Sequence, residues 1–163
     1  MRISQRGIDF IKSHEGWSAT PYDDGAGYPT IGYGHLIKRG ESFGTITREQ
    51  GEEILRQDIQ WAVNNVNRLV KVPITQAMFD ALVSLQFNWG DFPSSIALKR
   101  LNAGDYAGAA QRISEHPITG NGKVLPGLVR RRKEEASLFR SEGFPDGSNP
   151  TQPRPKNTES RRK

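Results

Sequence analysis

The 163-residue chain contains no cysteine. The fold must therefore be stable without disulfide bonds, and neither thiol chemistry nor a cysteine-ligated metal site is available to it. Long apolar runs are also missing at the N-terminus, where MRISQRGIDFIKSHEG resembles neither a secretory signal nor a membrane anchor. If the protein acts outside the cytoplasm, a separate factor would therefore have to release it.

Residues 145–163, PDGSNPTQPRPKNTESRRK, contain no Leu, Ile, Val, Phe, Trp or Tyr. A segment without apolar side chains cannot offset the entropy lost on ordering, so we predict a flexible tail. The tail has five basic and two acidic residues, and it therefore carries three of the five formal positive charges of the chain. The weakly basic remainder does not favour nucleic-acid binding, and the tail has no apolar face for stable insertion into a membrane.

Apolar periodicity and turn residues predict an α+β fold in one domain, residues 1–144. Residues 4–14 have helical spacing, and residues 20–38 are broken by glycine and proline into short strands and turns. Thr47 and Gln50 match a capping box that opens a long helix, which ends before Pro73.

Further helices are expected at 75–89, 94–103, 105–115 and 127–140, with a loop at 116–127. The charged run RRRKEE should occupy the exposed side of the last helix. This order of elements predicts a small lobe with a short antiparallel β-ribbon, joined by the long helix to a larger all-helical lobe.

Two carboxylates lie in contrasting sequence environments. Glu15 follows Ile11 by four residues, so it lies on nearly the same side of the first helix as the apolar stripe. Partial removal from water favours the neutral carboxyl group, which can serve as a general acid. Asp24 lies in the polar turn DDGAG, where water and backbone amides should keep it ionised. Such a contrast separates an acid from a base in many active sites.

The segment TIGYGH that follows is predicted to be a strand, in which alternate residues share a face. One face would then carry a hydroxyl beside two bare glycines, and the other the larger side chains. The first set is Thr30, Gly32 and Gly34, and the second is Ile31, Tyr33 and His35. The first face would let a bulky ligand, and a water held by Thr30, approach the backbone. From spacing alone, however, a glutamate at a helix end and an aspartate in a turn are more often ordinary solvated groups.

The stretch HEGWSATPYDDGAGYPTIGYGH, residues 14–35, resembles the signature of phage-type lysozymes, the endolysins related to those of T-even and lambdoid phages. The shared pattern is a Glu, an Asp nine residues on, a Thr six further, and then I-G-Y-G-H. The similarity continues in ITQAMFDALVSLQFNWG, LKRLNAGDYAGAAQ and GNGKVLPGLVRRRKEEASLF, in the expected order.

The resemblance implies a lysozyme-like fold and hydrolysis of the β-1,4 bond between N-acetylmuramic acid and N-acetylglucosamine in peptidoglycan. Glu15 would be the general acid, Asp24 would stabilise positive charge and orient the attacking water, and Thr30 would hold that water. The implied substrate-binding residues are Gly32, Tyr33, Gly34, His35 and Asn88. No metal or cofactor is implied, and the expected partner of the monomer is the glycan strand.

The same resemblance implies an enzyme made in the host bacterial cytoplasm and released to the periplasmic cell wall by a holin. Asp23, adjacent to Asp24, leaves a second carboxylate one residue away, although the spacing from Glu15 favours Asp24. Three other functions are weighed on the sequence: a lytic transglycosylase, a wall-binding or phage structural module that keeps a lysozyme fold without activity, and membrane killing by the basic tail. For the tail, the missing apolar face argues against insertion and leaves electrostatic attachment to anionic envelopes.

Overall fold

The computed structural model describes residues 1–23, 27–115, 119–120 and 123–150. The chain divides into two compact units, and the division falls inside two helices. The small unit is Ile8–Trp61, and the helical unit combines Met1–Gly7 with the described part of Ala62–Lys163. The helical unit is therefore discontinuous in sequence, because the small unit interrupts it.

The small unit contains a three-stranded antiparallel sheet of order β1-β2-β3. Its strands are β1 (Ser18–Asp23), β2 (Pro29–Gly32) and β3 (His35–Leu36). Helix α1 (Gln5–His14) leads into this sheet, as the apolar spacing predicted. Its residues Ile8 and Ile11 are fully buried, together with Ile31 of β2.

The predicted capping box is confirmed at the start of helix α2 (Arg48–Asp58). The Thr47 hydroxyl accepts a hydrogen bond from the Gln50 amide at 3.1 Å, and the Gln50 side chain accepts one from the Thr47 amide at 2.8 Å. The single long helix predicted here is interrupted, because Ile59 separates α2 from α3 (Gln60–Leu69). Ile59 keeps helical backbone angles and is fully buried, so the interruption is local.

The helical unit is organised around α4 (Gln76–Asn88), whose residues from Ala77 to Gln86 are all buried. The predicted central helix is thus confirmed. A short 3-10 helix, Phe92–Ser94, follows it, and the remaining helices are α5 (Ile96–Asn102), α6 (Tyr106–Ile113) and α7 (Pro126–Arg140). Asp105 caps α6, as its position after Gly104 suggested, by accepting a hydrogen bond from the Gly108 amide.

Two sequence-based expectations for the helical unit are wrong. The lobe is mostly helical as predicted, but the segment predicted as a loop contains an antiparallel pair of two-residue strands, β4 (Thr119–Gly120) and β5 (Lys123–Val124). The charged run of α7 is also not confined to the exposed side, since Arg131, Arg132 and Glu135 are buried. The expectation was wrong because it assumed that charged side chains face solvent, whereas these side chains compensate one another's charge inside the unit.

The start of the chain is fixed to α4 through Asp80, which is only 1% exposed. Its carboxylate accepts hydrogen bonds from the Ser4 amide at 3.0 Å, from the Ser4 hydroxyl and from the Gln76 side chain at 2.9 Å. Gly7 lies against this group, since a Cβ at that position would be 2.7 Å from Asp80 Cγ and 2.7 Å from Ile3 Cγ1. The close approach requires glycine within a helix.

The last buried residue in the described part of the chain is Phe144, which packs against the rings of Tyr106 and Phe139. This contact is compatible with the domain end predicted at residue 144. The predicted tail begins directly after it, and its residues 151–163 lie outside the described residues. No helix within the described ranges is long and apolar enough to cross a membrane.

We expect Gly7→Ala to destabilise the protein. Alanine favours a helix by about 1 kcal/mol over glycine, but overlap with a buried, hydrogen-bonded carboxylate should cost about 1–3 kcal/mol. Thermal unfolding should therefore show a lower Tm than wild type. Gly44→Ala is the control, because nothing lies within 4 Å of the position that its Cβ would take. An increase in Tm for Gly7→Ala would contradict the assigned contact.

Candidate active site

Glu15 is placed by the end of α1, where its amide donates to the carbonyls of Ile11 at 3.1 Å and Lys12 at 3.3 Å. Its side chain is half-buried. Gly34 approaches it closely, because a Cβ at residue 34 would lie 3.3 Å from Glu15 Oε1. Gly34 itself is exposed and has a φ of +85°. A carboxylate therefore faces an open turn whose backbone is bare of side chain.

The turn differs from the continuous strand that the sequence predicted. β2 ends at Gly32, and β3 begins at His35, with Ile31 paired to His35 across the turn. Gly32 and Gly34 both have positive φ, which reverses the chain within three residues. Strict alternation of faces from residue 30 to 35 is therefore wrong, because it assumed extended backbone throughout.

Thr30 lies on β2 and is 3% exposed. Its hydroxyl donates to the carbonyl of Tyr28 at 3.2 Å, so the hydroxyl oxygen keeps acceptor capacity for a further donor such as water. Asp24, the second predicted catalytic carboxylate, lies outside the described residues. Its neighbour Asp23 ends β1 and accepts a hydrogen bond from the Gly27 amide at 3.1 Å.

Tyr33, a predicted substrate contact, is packed inside the small unit and is 6% exposed. The centroid of its ring lies 4.7 Å from that of Trp17, and the Lys12 ammonium lies 5.1 Å from the Tyr33 centroid. Gly51 makes room for this pair, since a Cβ there would overlap the Trp17 ring. The Tyr33 ring thus supports the turn from within. Gly32 is also buried.

His35 has carboxylates at both ring nitrogens. Nδ1 lies 2.8 Å from Asp58 Oδ2, and Nε2 lies 3.0 Å from Glu41 Oε1. Burial alone lowers the pKa of His35, but the hydrogen bonds to Asp58 and then Glu41 outweigh it and raise the pKa above its ordinary value. The Lys38 amide and then His35 lower the pKa of Glu41. Contact between His35 and the substrate stays a prediction. In the structure, both ring nitrogens of His35 bind carboxylates of the small unit.

Asn88, the predicted substrate contact in the helical unit, is exposed at the C-terminal end of α4. Its Oδ1 accepts a hydrogen bond from Nη2 of Arg132. Arg132 Nη1 donates to Glu135 Oε1, and Glu135 Oε2 accepts from the Ser84 hydroxyl at 2.5 Å. Burial lowers the pKa of the Arg132 guanidinium, and the charge of Glu135 opposes that effect.

This buried network and the partners of His35 were not predicted from the sequence. Arg131 joins the network by donating from Nε to Glu135 Oε2 at 3.3 Å. Spacings of three and four residues between the arginines and Glu135 are a signal of contact on one helix face, and they could have suggested the pairing. No comparable local signal joins His35 to Asp58, because they lie on separate elements.

Groups of three or more His, Cys, Asp or Glu side chains able to hold a metal ion are absent from the residues that the structure describes. The small unit offers the Glu15 carboxyl group at an open glycine turn, which is suited to proton transfer. The helical unit offers the oriented amide of Asn88, which is suited to recognition of a polar ligand by hydrogen bonds.

A family model for phage lysozymes matches residues 12–135. The endolysin of Acyrthosiphon pisum secondary endosymbiont phage 1 is 42% identical over 148 residues, which cover 86% of this chain and 99% of that protein. The solved endolysin from Escherichia coli O157:H7 phage FAHEc1 has a TM-score of 0.78 and 38% identity, over 89% of this chain and 97% of that one. The muramidase domain of SpmX from Asticaccaulis excentricus has a TM-score of 0.75 and 39% identity, over 85% and 97% respectively.

The fold and these similarities define a glycoside hydrolase of the lysozyme type. The chain belongs to the phage lysozyme family. Some relatives are longer, and the chain spans about half the length of the endolysins of Bacillus phages B103 and PZA, at 54% and 56%. The resemblance drawn from residues 14–35 is thus confirmed at the level of the family.

We expect the His35–Asp58 pair to make stability depend on pH. Because the pKa of His35 is raised, its contribution is complete below about pH 6.5, the unfolded value, and is lost as pH rises through the folded value. Asp58→Asn should therefore cost about 1.5–3 kcal/mol near pH 6 and less at higher pH. Chemical denaturation at several pH values measures this difference.

Asp9→Asn is the matched control for that change. The Asp9 carboxylate is 60% exposed and lies 3.8 Å from Lys12, a geometry that contributes little to stability. A deficit for Asp58→Asn that stays constant from pH 6 to well above the folded pKa of His35 would show that the charged histidine is not its source.

Proposed function

We propose that the protein is an endolysin that hydrolyses the β-1,4 bond between N-acetylmuramic acid and N-acetylglucosamine in peptidoglycan. Family membership supports the reaction class, and the names endolysin and muramidase borne by its relatives support the substrate. The observation that carries the proposal is the half-buried carboxylate of Glu15 beside the exposed backbone of Gly34.

In this proposal Glu15 is the general acid that protonates the leaving glycosidic oxygen. A bare glycine turn beside the acid leaves room for a sugar ring to approach it. A side chain at residue 34 would occupy the space next to Oε1, where the proton has to pass to the substrate. Proton donation by a positioned carboxyl group typically contributes about 10²–10⁴-fold to rate.

Asp24 and Thr30 are assigned to the other half of the reaction. Asp24 stabilises the positive charge that develops on the sugar and orients the attacking water, a role that the resemblance to phage-type lysozymes implies for the Asp nine residues after Glu15. Thr30 holds that water. The support for Thr30 is its hydroxyl, whose proton is engaged by the Tyr28 carbonyl so that its oxygen can accept from water. A water placed between two carboxyl groups favours inversion at the sugar.

The biological setting we propose is lysis of the host at the end of a phage infection. The enzyme is made in the host cytoplasm and acts as a monomer on the periplasmic wall after a holin opens the membrane. Relatives named endolysin support this setting. The basic residues predicted in the tail, such as Arg161 and Lys163, would add electrostatic attraction to the anionic envelope.

Glu15→Gln tests the general acid. The amide keeps the shape of the side chain but cannot donate the proton, so release of reducing ends from purified peptidoglycan should fall at least about 10²-fold. Glu53→Gln, an exposed change on α2, should leave the rate unchanged. Mass spectrometry of the wild-type products should show hydrolysed muramic acid ends. Products lighter by one water would instead identify a lytic transglycosylase.

Gly34→Ala tests the open turn. Gly34 and Gly40 have φ of +85° and +92°, so alanine at either position suffers similar backbone strain. Only Gly34 places the new methyl group against Glu15, since nothing lies within 4 Å of the Cβ position at Gly40. Hydrolysis should therefore fall about tenfold or more for Gly34→Ala beyond the loss shown by Gly40→Ala. Equal activity of the two variants would remove Gly34 from the site.

A further inference from the structure

The buried charges of the helical unit are not explained by stability alone. Arg132 and Glu135 are both fully buried, and a buried ion pair is often no more stabilising than apolar side chains of similar size. Arg132 Nε, moreover, has no hydrogen-bond partner among the described residues. A buried donor without an acceptor costs free energy. The pair therefore calls for a role beyond packing.

The network ends on a surface side chain. From the interior outward it runs from the Ser84 hydroxyl to Glu135, from Glu135 to Arg132, and from Arg132 to Asn88. Ser84 is fully buried, whereas Asn88 is exposed. Arg131 fixes the inner end, because it donates to both Ser84 and Glu135. Rigid buried groups thus support one solvent-facing amide.

The chemistry of the guanidinium determines which way that amide points. Arginine has only donors, so the Asn88 atom that faces Arg132 must be the carbonyl oxygen. The Asn88 NH₂ group is then turned away from Arg132 and toward the exposed side of the residue. A freely rotating asparagine could offer either an acceptor or a donor, but this one is held as a donor.

We propose that Arg132 and Glu135 are positioning residues that hold Asn88 as a hydrogen-bond donor to an oxygen of the glycan strand. The carbonyl of an N-acetyl group fits this donor best, because it is the strongest neutral acceptor that the strand repeats on each sugar. This inference rests on the proposed function for its substrate. It adds two residues, Arg132 and Glu135, that determine which kind of ligand atom Asn88 can bind although they do not contact the ligand themselves.

Asn88→Asp keeps the shape of the side chain but replaces the donor that it presents with an acceptor. The aspartate keeps an oxygen for Arg132 but presents a second acceptor where the NH₂ group was, so it should repel a carbonyl oxygen. With soluble, uncross-linked glycan strands as substrate, KM should rise about tenfold while kcat changes less than about twofold, as for loss of a ground-state hydrogen bond. An unchanged KM for Asn88→Asp would overturn the proposal.

A double-mutant cycle tests the positioning role. Arg132→Lys should raise KM about five- to tenfold in the wild-type background, because lysine cannot bridge Glu135 and Asn88 in the same plane. In an Asn88→Ala background the same change should add less than about twofold, since the group it positions is gone. Equal losses in both backgrounds would show a structural role only. Ile113→Val, buried on α6 outside the network, controls for loss of stability.

Binding of glycan to the Glu15→Gln protein provides a second readout. It does not require turnover, and it does not require an Arg132 variant that folds. The side-chain amide resonance of Asn88, identified by its loss in Asn88→Asp, should shift in ¹H–¹⁵N spectra when the soluble glycan strands are added. No shift at saturating glycan would overturn the inference and leave the proposed function standing. Retained hydrolysis by Glu15→Gln, with the shift present, would contradict the general acid and leave the inference standing.

Discussion

The small unit depends on the close approach of a glycine turn to a carboxylate. Gly34 can lie beside Glu15 only because it has no side chain, and it can take a φ of +85° for the same reason. The remainder of the unit secures this turn: the Tyr33 ring packs on Trp17, Gly51 admits the indole, and His35 is held between Asp58 and Glu41. A local backbone shape is thus maintained by contacts from three directions.

The helical unit, in contrast, contains charged side chains in its interior. Its core helix α4 is apolar, but α7 brings two arginines and a glutamate against it. Each charge is compensated by another or by Ser84, which limits the cost of burial. The result is a rigid hydrogen-bonded network whose outer end is Asn88. Buried charges that would destabilise an apolar core can therefore fix the direction of a surface amide.

Local signals in the sequence predicted the features that depend on local physics. The capping box of Thr47, the apolar helix α4 and the cap at Asp105 each follow from neighbouring residues, and each is confirmed. The turn at Gly32–Gly34 was predicted as a strand, because glycine permits both extended and positive φ and only pairing across the turn decides between them. The burial of Arg132 depends on Ser84 and Asn88, which are far away in the chain. The site residues named from the sequence come from the resemblance to phage-type lysozymes, and all of them except Asn88 lie within residues 14–35.

The division of the chain at Gly7 has a consequence for the order in which the protein can form. Ser4 is bound by Asp80, so the segment that precedes the small unit belongs to a unit whose central helix follows much later in the chain. During vectorial synthesis the small unit can complete its local contacts while the segment before it still lacks Asp80 as its partner. Closing the helical unit then requires joining segments separated by the whole intervening unit, a non-local step of the kind that slows folding. The segment before the small unit is thus among the last parts of the helical unit to gain its native contacts.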